Sequence, residues 1–170
     1  MNSDWIIREA EVKDIPRIRD IYNQGIADRI ATLEEQTKSM EEMKKWFHQR
    51  SARYTVLVAE LGGIVQGWAS LNPYSHRRAH AGVAEISIYV ERSWRGKGVG
   101  SRLLRALEKK AKENGFYKMV LFTFPFNRLA QGLYRKMGFR EVGVFENHGK
   151  LDGRFVDVMA MEKFLGDEQK

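Results

Sequence analysis

The spacing of apolar positions changes period several times along the chain, and each change marks an element. Residues 5–10, Trp-Ile-Ile-Arg-Glu-Ala, read as a first strand. Ile15, Ile18, Tyr22 and Ile26 then recur at the spacing of one helix face, behind Asp14 as an N-cap and with Pro16 in the first turn. The pattern lapses between Ala27 and Thr37, which reads as a loop. It resumes after Ser39, whose spacing to Glu42 is that of a capping box, and Met40, Met43 and Phe47 share one face of this second helix. Residues 54–60 and 64–70 are β-rich runs joined by Leu61-Gly62-Gly63, a hairpin signature, and Asn72-Pro73-Tyr74 is expected to break the second of them.

A polar, basic segment over 75–80 leads to a central strand over 83–90. Alternation there puts Ala84, Ile86, Ile88 and Val90 on one face and Glu85, Ser87 and Tyr89 on the other. A carboxylate in the middle of this strand is the anomaly of the pattern. Val99, Leu103, Leu104, Leu107 and Ala111 form the stripe of a third helix that ends at Gly115, and 117–123 is a fifth strand. Asn127 caps a fourth helix, which runs through Leu133 and Met137 and stops at Gly138. Two last strands, 139–147 and 154–163, flank a connection over 148–153, and the tail from Gly166 is expected to be disordered. The order β-α-α-β-β-β-α-β-α-β-β, with no repeat or linker, predicts a single α/β domain over 1–165 built on a mixed sheet.

Composition narrows the chemistry. With 170 residues and no cysteine, the chain has no disulfide, no thiolate metal site and no acyl-cysteine intermediate, so any group transfer is expected to be direct and metal-free. The start, Met1-Asn2-Ser3-Asp4-Trp5, has neither the basic nor the apolar part of a secretion signal, and no apolar run is long enough to span a bilayer; the reading is a cytoplasmic protein without a membrane partner. A net charge of +7 would suit nucleic acid, but the excess is local: residues 91–112 hold eight basic side chains against two acidic ones. A solvated helix face accounts for Lys109, Lys110 and Lys112.

That excess surrounds Arg95-Gly96-Lys97-Gly98-Val99-Gly100-Ser101, between the central strand and the third helix. Alternate glycines let the backbone turn tightly and approach a ligand, and the bare N–H groups of a helix start favour a diphosphate. The spacing fits neither a dinucleotide G-x-G-x-x-G nor a P-loop. It fits R-x-x-G-x-G, and here the chain resembles the GNAT superfamily of acyl-coenzyme A N-acyltransferases. A second stretch strengthens the resemblance: Asn127-Arg128-Leu129-Ala130, then Leu133-Tyr134 and Gly138-Phe139. The resemblance implies a seven-stranded sheet splayed between its fourth and fifth strands, four helices, and acetyl-CoA in the opening. The coenzyme would contact Ile88, Tyr89 and Val90, the loop from Arg95 through Gly96, Lys97, Gly98, Val99 and Gly100 to Ser101, and Asn127 and Lys136.

Ile21-Tyr22-Asn23, Ala31-Thr32-Leu33-Glu34, Trp46-Phe47 and Ala84-Glu85 further resemble the phosphinothricin and methionine sulfoximine acetyltransferase branch. That likeness implies a homodimer, an amino-acid-like acceptor, and Thr32 and Glu34 on the acceptor side; a loop cap and a surface acid are the alternatives. The branch usually ends in G-x-K-x-G-x-W-x-D, whereas Gly149 to Asp157 here has one extra residue after Lys150 and Phe155 for the Trp.

An amine attacks a thioester only as the neutral base, so a group must take its proton. Glu85 is the candidate, with His80 as rival; a carboxylate satisfied by Ser87 or the backbone is the alternative. Tyr134, placed near the sulfur by the resemblance, would protonate the departing thiolate, or else is a core tyrosine. Arg77 and Arg78 are candidates to pair with an acceptor carboxylate, or are surface residues. Three function classes follow: acetylation of a small amino-acid-like amine, the same chemistry on a polyamine, peptide or protein amine, and a non-catalytic nucleic-acid or coenzyme-binding module.

Overall fold

Seven strands form one sheet in the order β1-β2-β3-β4-β5-β7-β6. They are β1 (Trp5–Glu9), β2 (Val56–Leu61), β3 (Ile64–Pro73), β4 (Val83–Val90), β5 (Lys118–Thr123), β6 (Arg140–Leu151) and β7 (Arg154–Phe164). The helices are α1 (Ile15–Asp28), α2 (Met40–His48), α3 (Val99–Glu113) and α4 (Arg128–Lys136). The structure, a computed structural model, describes residues 4–166; the expected disorder of the tail falls largely outside the described residues. Among the described residues no helix is long and apolar enough to cross a membrane.

The two periods of the sequence become the two faces of the sheet. Val99, Leu103, Leu104, Leu107 and Ala111 of α3 are buried against Leu57, Ala69, Leu71, Ala84 and Ile86. On the other face, Ile15, Ile18 and Ile21 of α1 and Met43 of α2 pack on Val56, Val58 and Trp68. Glu85, Ser87 and Tyr89 therefore look toward α1 and α2. Ser39 caps α2 as expected, its hydroxyl accepting the Glu42 N–H at 3.1 Å while the Glu42 carboxylate accepts the Ser39 N–H at 2.8 Å. Asp14 occupies the position before α1, but its side chain does not cap that helix. It turns back to accept from the Arg8 guanidinium at 2.8 and 2.9 Å and from the Glu11 N–H at 2.7 Å, across a 3-10 turn over Val12–Asp14.

Two strands outrun their sequence patterns. β3 continues through Asn72 to Pro73, which pairs with Ala84 at the end of the ladder, where a missing N–H is tolerated. β6 continues to Leu151, so the connection is only the turn at Asp152 and Gly153, both with positive φ, and not the whole of 148–153. Between Phe145 and Gly149 the β6–β7 register shifts, and Asn147, at φ +51°, donates its N–H to the Asp157 carboxylate at 2.8 Å. An extra-residue bulge of this kind bends a strand and re-aims its side chains.

The feature that positions the site is a short pairing. β4 and β5 run parallel, yet only Val83, Ala84 and Glu85 are matched, to Lys118, Met119 and Val120. Beyond Glu85 the two strands diverge, and the β5-facing backbone of β4 from Ile86 to Val90 opens into a cleft that passes through the sheet.

Candidate active site

At one end of the cleft is the glycine loop. Gly98 stands at the N-cap position of α3 with φ +91° and no side-chain cap. The first main-chain bond of the helix runs from the Arg102 N–H to the Gly98 carbonyl at 3.3 Å, so the N–H groups of Val99, Gly100 and Ser101 have no main-chain partner among the described residues. Unpaired N–H groups at the positive end of a helix dipole form an anion seat. The loop edges a cavity of about 440 Å3. Its walls include Ile88, Tyr89 and Val90 of β4, the loop residues Arg95, Gly96, Gly98, Gly100 and Ser101, and Asn127 and Lys136 at the two ends of α4. Two of the expected contacts do not line it with their side chains: the Val99 side chain is buried in the core under α3, leaving only its main-chain N–H at the loop, and Lys97 reaches over the Trp94 ring.

The wall also holds residues that motif reading passed over, among them Arg128, Leu129, Gly132 and Leu133. They share a face of α4 with Lys136, a helical spacing readable once Asn127 is taken as the cap. Charge is distributed differently from expectation as well. Arg95 is tied to Asp28 at 2.8 Å and to the Val90 carbonyl at 3.3 Å, and Arg92 forks onto the same carboxylate. The hydrogen bonds from Arg92 hold Asp28 below the usual carboxylate range, against the opposing effect of burial. Arg128 and Lys136, in contrast, make no ion pair among the described residues. Lys110 and Lys112 pair with surface acids.

The predicted seat has a direct test. Gly98→Val forces a β-branched residue to a φ it disfavours and puts its Cβ 3.3 Å from the Arg102 guanidinium. A diphosphate coenzyme should bind at least tenfold more weakly, about 1.4 kcal/mol, with folding intact by circular dichroism; calorimetry showing unchanged affinity would refute the assignment.

A second cavity, of about 470 Å3, adjoins the first. Ala31, Ile88, Tyr89, Asn127, Ala130 and Tyr134 belong to both walls, so these residues form the junction. Asn127 braces it: its side-chain oxygen accepts the Ala130 N–H at 3.1 Å and its amide donates to the Ile30 carbonyl at 3.0 Å, joining α4 to the loop after α1. With both ends engaged, this side chain is a brace more than a free ligand.

Glu85 lies in the second cavity, half-buried, and makes no side-chain hydrogen bond or ion pair among the described residues. Ser87, the partner that the alternative reading gives it, instead accepts from the Asn72 amide at 3.2 Å. Burial pushes the Glu85 carboxyl above its ordinary range, the direction a base for an ammonium group requires. Tyr134, 8% exposed, is pushed up to about 12 by burial and is a phenol, not a phenolate, at neutral pH. Glu85 and Tyr134 come from opposite faces of the sheet and share one cavity because the cleft passes between β4 and β5.

Thr32 also lines this cavity, and its hydroxyl accepts the Glu34 N–H at 3.2 Å. Glu34 is not among its lining residues, and its carboxylate pairs with Lys38 at 3.0 Å. Arg77 and Arg78 are exposed, beyond the start of β4, and line none of the cavities described. His80 is outside as well, its Nδ1 2.6 Å from the Ser75 hydroxyl and its ring against Tyr74. The histidine that does line the cavity is His148, at the β6 bulge and stacked on Phe145. Nothing in the apolar pattern marked it, because the bulge breaks the strand's alternation.

This arrangement can be set beside known proteins. The acetyltransferase (GNAT) family matches residues 18–139. An L-methionine sulfoximine/L-methionine sulfone acetyltransferase of Pseudomonas aeruginosa is 34% identical over 158 residues, 92% of each chain. An L-amino acid N-acyltransferase of Escherichia coli is 31% identical over 162 residues, 95% of this chain and 94% of the relative. Among solved structures, a GNAT superfamily phosphinothricin acetyltransferase from Sinorhizobium meliloti in complex with AcCoA superposes with a TM-score of 0.91 at 30% identity, over 98% of this chain and 91% of that one. Splayed sheet, glycine loop and sequence agree, and the chain belongs to the GNAT acetyltransferase family.

Proposed function

We propose that this enzyme moves the acetyl group of acetyl-CoA directly onto the primary amine of a small amino-acid-like acceptor. The observation that carries the reading is the junction: a cavity headed by helix N–H groups meets a second one holding the Glu85 carboxylate, both without a partner among the described residues, and Tyr134 stands in the wall between them. The residues present fit the coenzyme. Val99, Gly100 and Ser101 N–H groups would take the diphosphate, Arg128 and Lys136 would add positive field, and the unpaired edge of β4 offers main-chain groups along the cleft. Bound there, the coenzyme supplies an acetyl thioester.

The chain's own groups then manage protons and charge. Glu85, as carboxylate, takes a proton from the acceptor's ammonium and leaves the nucleophilic amine. Tyr134 donates its phenolic proton to the departing sulfur. A β4 N–H beyond Glu85 is available to polarise the thioester oxygen. The acceptor cavity pairs Glu85, for an ammonium, with His148, whose imidazole can meet a carboxylate. A polyamine would need several carboxylates, and among the described lining residues Glu85 is the acid of this cavity. Release of free thiol from acetyl-CoA, measured across amino acids, their sulfone and sulfoximine analogues, polyamines and peptides, should show turnover with the amino acid analogues. Turnover confined to spermidine or a peptide would replace this reading.

Part of the same proposal is a homodimer. The outer strands β6 and β7 expose Val142, Val144, Phe145 and Phe155, apolar surface of the kind that subunit contacts cover.

A further inference from the structure

The extra residue after Lys150 takes no part in the chemistry above. Leu151 and Asp152 stand where the branch pattern has one residue. Leu151 is buried with Phe124 and Val158 and serves the core. Asp152 is exposed at the tip of the β6–β7 hairpin, where it and Gly153 form a two-residue turn at φ +53° and +79° between the paired Leu151 and Arg154. The preference of such turns for Asp-Gly accounts for the backbone at the tip. It does not account for what the Asp152 side chain holds.

The Asp152 carboxylate accepts a fork from Arg29, whose Nε and one terminal nitrogen lie 2.9 and 3.1 Å away. The other terminal nitrogen of Arg29 donates to the Ile26 and Glu35 carbonyls at 2.9 and 3.1 Å. The Asp152 N–H in turn donates to the Glu35 carboxylate at 2.6 Å. Leu33 lies on Gly149 so closely that a Cβ there would stand 2.8 Å from the leucine Cδ2. The connection between α1 and α2, which contains no helix or strand, is thus fastened to the hairpin at Arg29, Leu33 and Glu35. Its residues Ala31, Thr32 and Leu33 line the acceptor cavity, as does His148 of the hairpin.

We infer that the Arg29–Asp152 fork is a clasp that holds the α1–α2 connection against the hairpin tip and thereby limits the size of the acceptor admitted. A guanidinium–carboxylate fork fixes geometry as well as distance, which suits a fastening between two segments far apart in sequence. Neither side chain lines a described cavity, so the clasp acts on acceptor choice and not on the chemical step. The selectivity half of the inference rests on the amino-acid acceptor reading above; the clasp itself can be tested without turnover.

Asp152→Asn accepts the positive φ of the turn and removes the charge, and Asp152→Gly keeps the turn and removes the side chain. In both variants the amides of residues 30–37 should exchange hydrogen about threefold to fivefold faster than in the wild type, with those of the sheet unchanged. Raising salt to about 0.5 M should speed the same amides in the wild type and not in Asp152→Gly. For turnover, the probes are methionine sulfone and a dipeptide carrying it at the N-terminus, which present the same amine and side chain. The wild type should favour the free amino acid, and both variants should narrow the ratio of the two kcat/KM values about threefold to fivefold while acetyl-CoA affinity stays the same. Unchanged exchange in both variants overturns the clasp. Faster exchange with an unchanged ratio overturns its role in acceptor choice. Faster exchange without acetylation of either probe upholds the clasp and overturns the amino-acid acceptor reading.

Discussion

Glu85→Gln should lower kcat/KM by about 10²–10⁴-fold at neutral pH while leaving acetyl-CoA affinity nearly unchanged. The amide preserves shape and removes the base. In the wild type the active form is the carboxylate, so activity should fall as pH drops through the Glu85 pKa. Burial raises that pKa above its reference of 4.5, which moves the acid limb toward neutrality. The variant should lack this limb and retain only the limb set by ionisation of the acceptor amine. Wild-type kcat across the pH range would make Glu85 a structural carboxylate, with His148 next in line as the base.

Tyr134→Phe is the second large effect. The ring packs against Phe139, with centroids 5.7 Å apart, and Phe keeps that contact, so a fall in kcat of about 10²–10⁴-fold would belong to the hydroxyl. Because burial pushes the phenol up to about 12, its own ionisation should not shape the pH profile below about pH 10, and both forms should share the same alkaline side. The deficit should shrink with an acyl donor whose thiol is more acidic, since a better leaving group needs less proton donation. An unchanged kcat, or a deficit indifferent to the leaving group, would leave Tyr134 as a packing residue.

Local chemistry made much of this site readable from sequence. The period of two through β4 put Glu85 opposite Ile86, and the glycines at 96, 98 and 100 announced a turn into a helix start. Long-range partners were not readable. Asp28 claims Arg95 from 67 residues away, so a cation expected to face phosphate is largely neutralised. Arg77 and Arg78 precede β4 in sequence, but the chain leads them away from the cleft. The break expected at Asn72-Pro73-Tyr74 ended the β3 pattern at residue 70, three residues too early, because a proline at the last pair of a strand loses little. His148 was hidden for the reverse reason: alternation is read on regular strands, and a bulge moves a side chain off its expected face.

The central claim is that both substrates occupy adjoining cavities and react directly at the Tyr134 junction. Initial rates measured with acetyl-CoA and an accepted amino acid analogue both varied, together with the intact mass of enzyme incubated with acetyl-CoA alone, test it most directly. Intersecting double-reciprocal lines and an unmodified chain are expected. Parallel lines and a chain one acetyl group heavier, able to pass that group to the acceptor, would contradict direct transfer.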